Sequence, residues 1–73
     1  MNDYSNDMTV QAVRAGHHMW IRAGEEPVNY DYMDDDHISN CIAMMERVKG
    51  SYDDIAEEFE QKIMEMQKYL KQK

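Results

Sequence analysis

Apolar side chains in the last third of the chain recur at the spacing of an amphipathic helix. Intervals of four and three residues separate the successive members of one series: Tyr52, Ala56, Phe59, Ile63, Met66 and Leu70. Positions with this heptad spacing share one face of an α-helix and commonly form the seam of a coiled coil. Ser51 followed by Asp54 resembles a capping box, with Asp in place of Glu. The pattern predicts a long amphipathic helix over residues 51–72.

A second helical pattern lies directly before this one. Its apolar positions are spaced by four, three and three residues: Ile38, Ile42, Met45 and Val48. Three acidic residues, Asp34–Asp36, precede it, where a helix N-terminus favours negative charge and where Asp34 can act as the cap. Arg47 and Lys49 fall in the last turn, and Gly50 is a typical helix stop. These signals predict a helix over residues 35–49.

The chain before these helices alternates between apolar and polar residues. Met19 and Ile21 alternate with polar or aromatic neighbours, as do Val28, Tyr30 and Tyr32 after a turn that begins at Gly24. Two runs of period two around a turn predict a β-hairpin over residues 17–33. The segment 9–16 fits either a helix or a strand, and residues 1–8 are polar enough to form a flexible tail.

Together these elements predict an α+β fold in which a short β-hairpin precedes two helices, in a single small domain over residues 9–73. A chain of 73 residues has little apolar surface to bury, and domains of this size often rely on a partner chain. The second helix is longer than the first, so its last turns need another cover unless they stay exposed. We therefore expect a homo-oligomer with its seam at Tyr52, Phe59, Ile63, Met66 and Leu70.

The charge of the chain limits its partners. Eight basic and 15 acidic residues give a net charge of −7, which disfavours direct binding to duplex nucleic acid and to anionic membranes. Basic protein surfaces and small ligands in a locally positive pocket remain favourable. No apolar run approaches the roughly 20 residues of a membrane span, and the polar N-terminus does not resemble a secretory signal. We expect a cytoplasmic protein.

No catalytic motif is present in the sequence. The spacing of His17, His18 and His37 matches no known metal-ligand pattern. The single cysteine, Cys41, allows no intramolecular disulfide and is typical of a buried, inert thiol. We therefore predict a protein that is not an enzyme and that uses no cofactor and no metal.

Aromatic, basic and amide side chains form one candidate ligand set. A nucleotide could stack on the aromatic rings, place its phosphate on arginine and present a base edge to asparagine. The candidate residues are Trp20 and Arg22 on the first strand, Tyr30 and Tyr32 on the second, and His37, Asn40 and Arg47 on the first helix. The same pattern also fits a small core in which Trp20 and one tyrosine pack on Ile42 and Met45. The sequence leaves both interpretations open.

Acidic side chains around the hairpin turn and the first helix form a second candidate site. A basic partner protein would be attracted to such a surface, with an affinity that falls as salt rises. Its members are Glu25, Glu26, Asp31, Asp34, Asp35 and Asp36.

Residues 19–48 resemble small uncharacterised bacteriophage proteins. The shared pattern is Trp20, Gly24, Val28 and Met33, followed by His37-Ile38, Asn40, Ile42 and Arg47, with Ile38 where the pattern usually has Leu. The resemblance implies a phage origin, a hairpin followed by a helix, and residence in the host cytoplasm. It favours a non-catalytic protein that counters host defence by binding an immune effector or its nucleotide signal. The alternative is a structural or scaffold-type homo-oligomer.

Overall fold

The computed structural model describes residues 4–22 and 25–72. Helix α1 spans Met8–Val13, and strands β1 (Met19–Ile21) and β2 (Pro27–Asn29) follow it. Helix α2 spans Asp35–Val48, and helix α3 spans Ala56–Lys71. Two 3-10 helices, at Tyr30–Tyr32 and Lys49–Ile55, connect these elements. The predicted α+β layout of a hairpin followed by two helices is confirmed.

The segment that the sequence left open between helix and strand is helix α1. Asp7 caps it, because its Oδ1 accepts a hydrogen bond from the Val10 N–H at 3.1 Å. Val10, Ala12 and Val13 are buried in the core. Residues 4–7 also differ from the predicted tail, since the Tyr4 hydroxyl donates to Asp54 at 2.6 Å.

The hairpin is shorter than predicted. Its strands are antiparallel and pair Trp20 with Val28 and Met19 with Asn29. The chain then leaves the sheet at Tyr30, because the Asn29 side chain accepts from the Asp31 N–H at 2.8 Å and starts a 3-10 turn. The predicted turn at Gly24 lies outside the described residues.

The joint between the two long helices differs from the prediction at both of its ends. Helix α2 stops at Val48, and the chain continues as a 3-10 helix with a non-helical residue at Tyr52 (φ −127°, ψ 47°). Helix α3 therefore begins at Ala56 and not at Ser51, and the predicted capping box does not form. Asp34 occupies the N-cap position of α2 without a side-chain cap hydrogen bond.

The hydrophobic core lies where α1, the hairpin, α2 and α3 meet. Its fully buried side chains include Tyr30, Ile38, Met45, Phe59 and Met66. Helix α3 packs against both α2 and α1. Among the described residues, no helix is both long and apolar enough to cross a lipid bilayer.

The predicted oligomer seam is largely covered within one chain. The exposed fractions of Phe59, Ile63 and Met66 are 0%, 4% and 0%. Tyr52 and Leu70 are partly buried and pack against the core. The expectation that these residues need a second chain as cover is therefore wrong. The reason is that α1 and the hairpin, as well as α2, supply apolar surface to α3.

Candidate ligand-binding site

A cavity of about 440 Å³ opens between α1, β1 and α2. This volume falls in the lower half of the roughly 300–1,000 Å³ typical of small-molecule sites. Most of the lining is apolar, with side chains from all three elements. The lining residues are Met8, Thr9 and Ala12 from α1, Trp20, Ile21 and Arg22 from β1 and its end, and His37, Asn40, Cys41 and Met44 from α2.

Helix periodicity explains which residues of α2 reach the cavity. His37, Asn40, Cys41 and Met44 lie three or four positions apart and so share one face of the helix. Ile38 and Met45, on the neighbouring face, are fully buried in the core. One side of α2 therefore packs the protein while the adjacent side forms the cavity wall.

The cavity is locally positive in an acidic protein. Arg22 lines it, and no carboxylate is among its lining residues, although the chain carries a net charge of −7. The Arg22 side chain is exposed and makes no ion pair within the described residues. A guanidinium in this position favours an anionic group on a ligand.

Two polar groups of the lining are buried. The Nε2 atom of His37 has no hydrogen-bond partner among the described residues. Buried polar atoms are nearly always paired, so this nitrogen is available to a ligand that reaches it. Burial raises the pKa of the Cys41 thiol to about 11, and the Arg22 charge only partly opposes this shift. Cys41 is therefore a neutral thiol at pH 7, as the sequence predicted.

Four of the seven predicted ligand residues meet in this cavity: Trp20, Arg22, His37 and Asn40. Arg47 is exposed but lies outside the cavity lining. Tyr30 is fully buried and Tyr32 is 83% exposed. The prediction that both tyrosines share a strand face is wrong, because both belong to a 3-10 helix that turns them in different directions.

Trp20 lies in the core and also at the cavity. Only 4% of its surface is exposed, and it belongs to the same core cluster as Met45. It also forms part of the cavity wall. The contributions of α1 to this wall, Met8, Thr9 and Ala12, were missed. Met8 fell in the predicted tail of residues 1–8, and the sequence left residues 9–16 open between helix and strand.

The six predicted acidic contacts are all exposed: Glu25, Glu26, Asp31, Asp34, Asp35 and Asp36. Asp34–Asp36, together with Met33, line a shallow depression at the start of α2. Asp31 accepts a hydrogen bond from the Tyr69 hydroxyl at 2.6 Å. These carboxylates are therefore on the surface, and Asp31 has a partner within the chain.

A buried polar cluster on α3 was not predicted. Lys62 is only 7% exposed. Its ammonium group donates to the Gly16 and Met19 carbonyls at 2.7 and 3.1 Å. It also lies 3.2 Å from Glu65 Oε1, which accepts from the Tyr30 hydroxyl at 2.5 Å. Glu58, one turn before Lys62, instead accepts two hydrogen bonds from Arg14, of 2.7 and 2.9 Å.

The Glu65 carboxylate is the centre of this cluster. Burial alone would raise its pKa, but the Tyr30 hydrogen bond and the Lys62 charge more than offset burial, so that its pKa is lowered. The pKa of Tyr30 is raised in turn by burial and by its bond to Glu65. The cluster thus holds an ionised carboxylate and ties the end of α1, the hairpin and α3 together.

No protein-family model, curated protein or solved structure matches this chain. The resemblance of residues 19–48 to small phage proteins therefore stays a prediction. The function must be argued from the chemistry of the cavity and of the protein surface.

Proposed function

We propose that this chain is a small, non-catalytic binding protein that captures an anionic, nucleotide-type ligand in the cavity between α1, β1 and α2. One observation carries the proposal: Trp20, Arg22, His37 and Asn40, which sequence reasoning had grouped as ligand contacts, line the same cavity. The absence of a carboxylate from that lining supports an anionic ligand.

Each polar group of the lining suits a different part of such a ligand. Arg22 can hold a phosphate through two parallel hydrogen bonds. The Asn40 amide can donate to and accept from the edge of a base, and Thr9 can bind a ribose hydroxyl. The apolar remainder, with Met44 and Trp20, suits the face of a purine or pyrimidine ring.

The size and charge of the cavity favour one nucleotide unit with a single phosphate. Among the described residues, Arg22 is the only formally charged side chain in the lining, and about 440 Å³ is small for a dinucleotide. One charge-assisted contact contributes about 1.5–3 kcal/mol and one stacking contact about 1–3 kcal/mol. Even without subtracting the entropy cost of ordering the ligand, the sum of these two free energies corresponds to a Kd no tighter than roughly tens of micromolar.

The biological role that we propose is the removal of a host nucleotide signal. The similarity of residues 19–48 to small phage proteins supports it, because such a protein can counter host defence by binding alone. The protein would then act in the host cytoplasm. Self-association along α3 is not part of this proposal, because Phe59, Ile63 and Met66 are buried within one chain.

A titration followed by ¹H–¹⁵N correlation spectra tests the proposal. Adding AMP should shift the Trp20 indole, the Asn40 side-chain amide and backbone amides of α1, while the Met64 amide on α3 stays unchanged. Adenosine, which lacks the phosphate, should shift the same signals at clearly higher concentrations. Shifts spread over the whole chain, or none at millimolar AMP, would contradict the proposal.

A second candidate function is supported by the exposure of all six predicted acidic contacts. In this alternative the carboxylates bind a basic surface of a host effector, and affinity falls steeply with salt because exposed charges are screened over about 8 Å at physiological ionic strength. Once an effector is in hand, replacing all six by Asn or Gln should abolish its inhibition. Full inhibition by that variant would exclude the acidic surface.

A further inference from the structure

Four side chains with soft or nitrogen donors line the same cavity: Met8 from α1, and His37, Cys41 and Met44 from α2. We propose that this set binds a soft monovalent metal ion, copper(I). The inference goes beyond the proposed nucleotide function, and it differs from the sequence-based expectation of no metal. That expectation rested on the spacing of the histidines and did not consider methionine sulfur.

The spacing of the donors on α2 suits a common ligand. Cys41 lies four residues after His37 and three before Met44, and side chains at these intervals are neighbours about 5–6 Å apart at Cβ. Cys41 is thus the central donor, with one further donor a turn away on each side. Met8 adds a thioether from a second element that lines the same cavity.

The donor atoms that matter most are uncommitted. His37 Nε2 is buried and has no hydrogen-bond partner among the described residues. Cys41 is a free, buried cysteine. A buried imidazole nitrogen without a partner is unusual, and coordination of an ion would satisfy it. These two observations are independent of each other, and both concern the same cavity.

Ligand softness and charge favour copper(I) over zinc. Zinc sites are built from cysteine, histidine and carboxylate, whereas the thioether sulfur of methionine favours copper(I). On binding, the Cys41 S–H bond breaks, its proton passes to water, and a copper–sulfur bond forms. A copper(I) thiolate is neutral, whereas a zinc thiolate would leave a positive charge beside Arg22 in a largely apolar lining.

A competition titration tests this site on the full chain. Copper(I) is added without oxygen to the protein together with a chromophoric copper(I) chelator of known affinity, and the colour reports how much copper the protein holds. We expect one ion per chain. Cys41→Ser should weaken binding by about 100-fold or more and Met44→Leu by about 10-fold, because loss of even a hydrogen-bond partner of a metal ligand costs roughly 10–100-fold in affinity.

Met64→Leu is the matched control, because Met64 is 67% exposed and lies outside the cavity. It should bind copper as the wild type does. Met44→Leu keeps a similar side-chain size and removes the sulfur. It therefore tests whether Met44 binds copper(I) even if Cys41→Ser fails to fold. The site is refuted if the wild type takes no copper from the chelator, or if Met64→Leu weakens binding as much as Met44→Leu.

The nucleotide and copper(I) proposals can be separated with the same variants. Arg22→Gln should weaken the binding of AMP. It should weaken copper(I) binding by less than Met44→Leu does, because Arg22 supplies no donor atom to the ion. Met44→Leu should leave the phosphate contribution intact, measured as the ratio of AMP to adenosine affinity. Loss of copper(I) binding in Arg22→Gln would contradict the proposed donor set.

Discussion

Replacing Lys62 by methionine tests whether the buried polar cluster holds the fold together. Methionine keeps most of the apolar stem and removes the ammonium group. That group donates to the Gly16 and Met19 carbonyls, and lies within 3.2 Å of Glu65 Oε1. The variant therefore removes the Lys62 charge from the partly buried carboxylate, which keeps a contact of 2.7 Å with His17 Nδ1.

The size of the effect follows from which partners remain. Removing one member of a buried ion pair costs about 3–5 kcal/mol. Glu65 keeps its bonds from the Tyr30 hydroxyl and the His18 N–H and its contact with His17 Nδ1. Its side chain is also 21% exposed, so water reaches it. We therefore expect the lower end, about 3 kcal/mol of unfolding free energy. For a chain of this length that corresponds to a fall in Tm of about 12–24 °C.

Urea unfolding followed by circular dichroism measures this loss, and thermal melting gives the shift in Tm. Lys68→Met is the matched control, because Lys68 is exposed on the same helix. The control should change stability by no more than about 0.5 kcal/mol. If Lys62→Met also loses less than about 1 kcal/mol, the cluster does not stabilise the fold as argued.

Three further predictions follow from burial and charge. Ile63→Ala should lose about 2–5 kcal/mol of stability at unchanged molar mass in light scattering; a smaller mass would show that α3 is a seam between chains. The Arg14 hydrogen bond lowers the pKa of Glu58 from 4.5 in the folded protein. The ionised Glu58 therefore stabilises the fold fully at pH values well above 4.5, and this contribution is lost as the pH falls through the folded pKa. The Tm of the wild type should therefore fall as the pH drops through 4.5 and then through the lower folded pKa. The fall should be smaller in Glu58→Gln, and an equal fall in that variant would exclude this pair. Tyr32→Ala, at an 83% exposed position, should change stability by no more than about 0.5 kcal/mol in the same urea assay; a loss above about 1 kcal/mol would show a contact absent from this structure.

The long-range pattern of apolar residues was enough to predict the two long helices and the hairpin. It failed where local hydrogen bonds compete with that pattern. Asn29 starts a 3-10 turn and removes Tyr30 and Tyr32 from the strand, and the kink at Tyr52 delays α3 to Ala56. Neither event changes hydrophobic periodicity, so periodicity could not reveal it.

The candidate site was predictable as far as it lies on regular elements. Helix spacing grouped His37 with Asn40, and strand spacing grouped Trp20 with Arg22. Arg47 was grouped with His37 and Asn40, but the last residue of α2 that lines the cavity is Met44, one turn before Arg47. The contribution of α1 depends on how that helix packs against β1, which is a tertiary contact that a single sequence does not encode in any local pattern.

Calorimetric titration of the full chain with AMP and adenosine tests the central claim, that the cavity binds an anionic nucleotide through Arg22. The wild type should bind AMP more tightly than adenosine by about 10-fold or more, the equivalent of one charge-assisted contact. Arg22→Gln should remove that difference, and Arg47→Gln, a matched change outside the cavity, should keep it. Equal affinity for AMP and adenosine in the wild type, or an equal loss in both variants, would contradict the account.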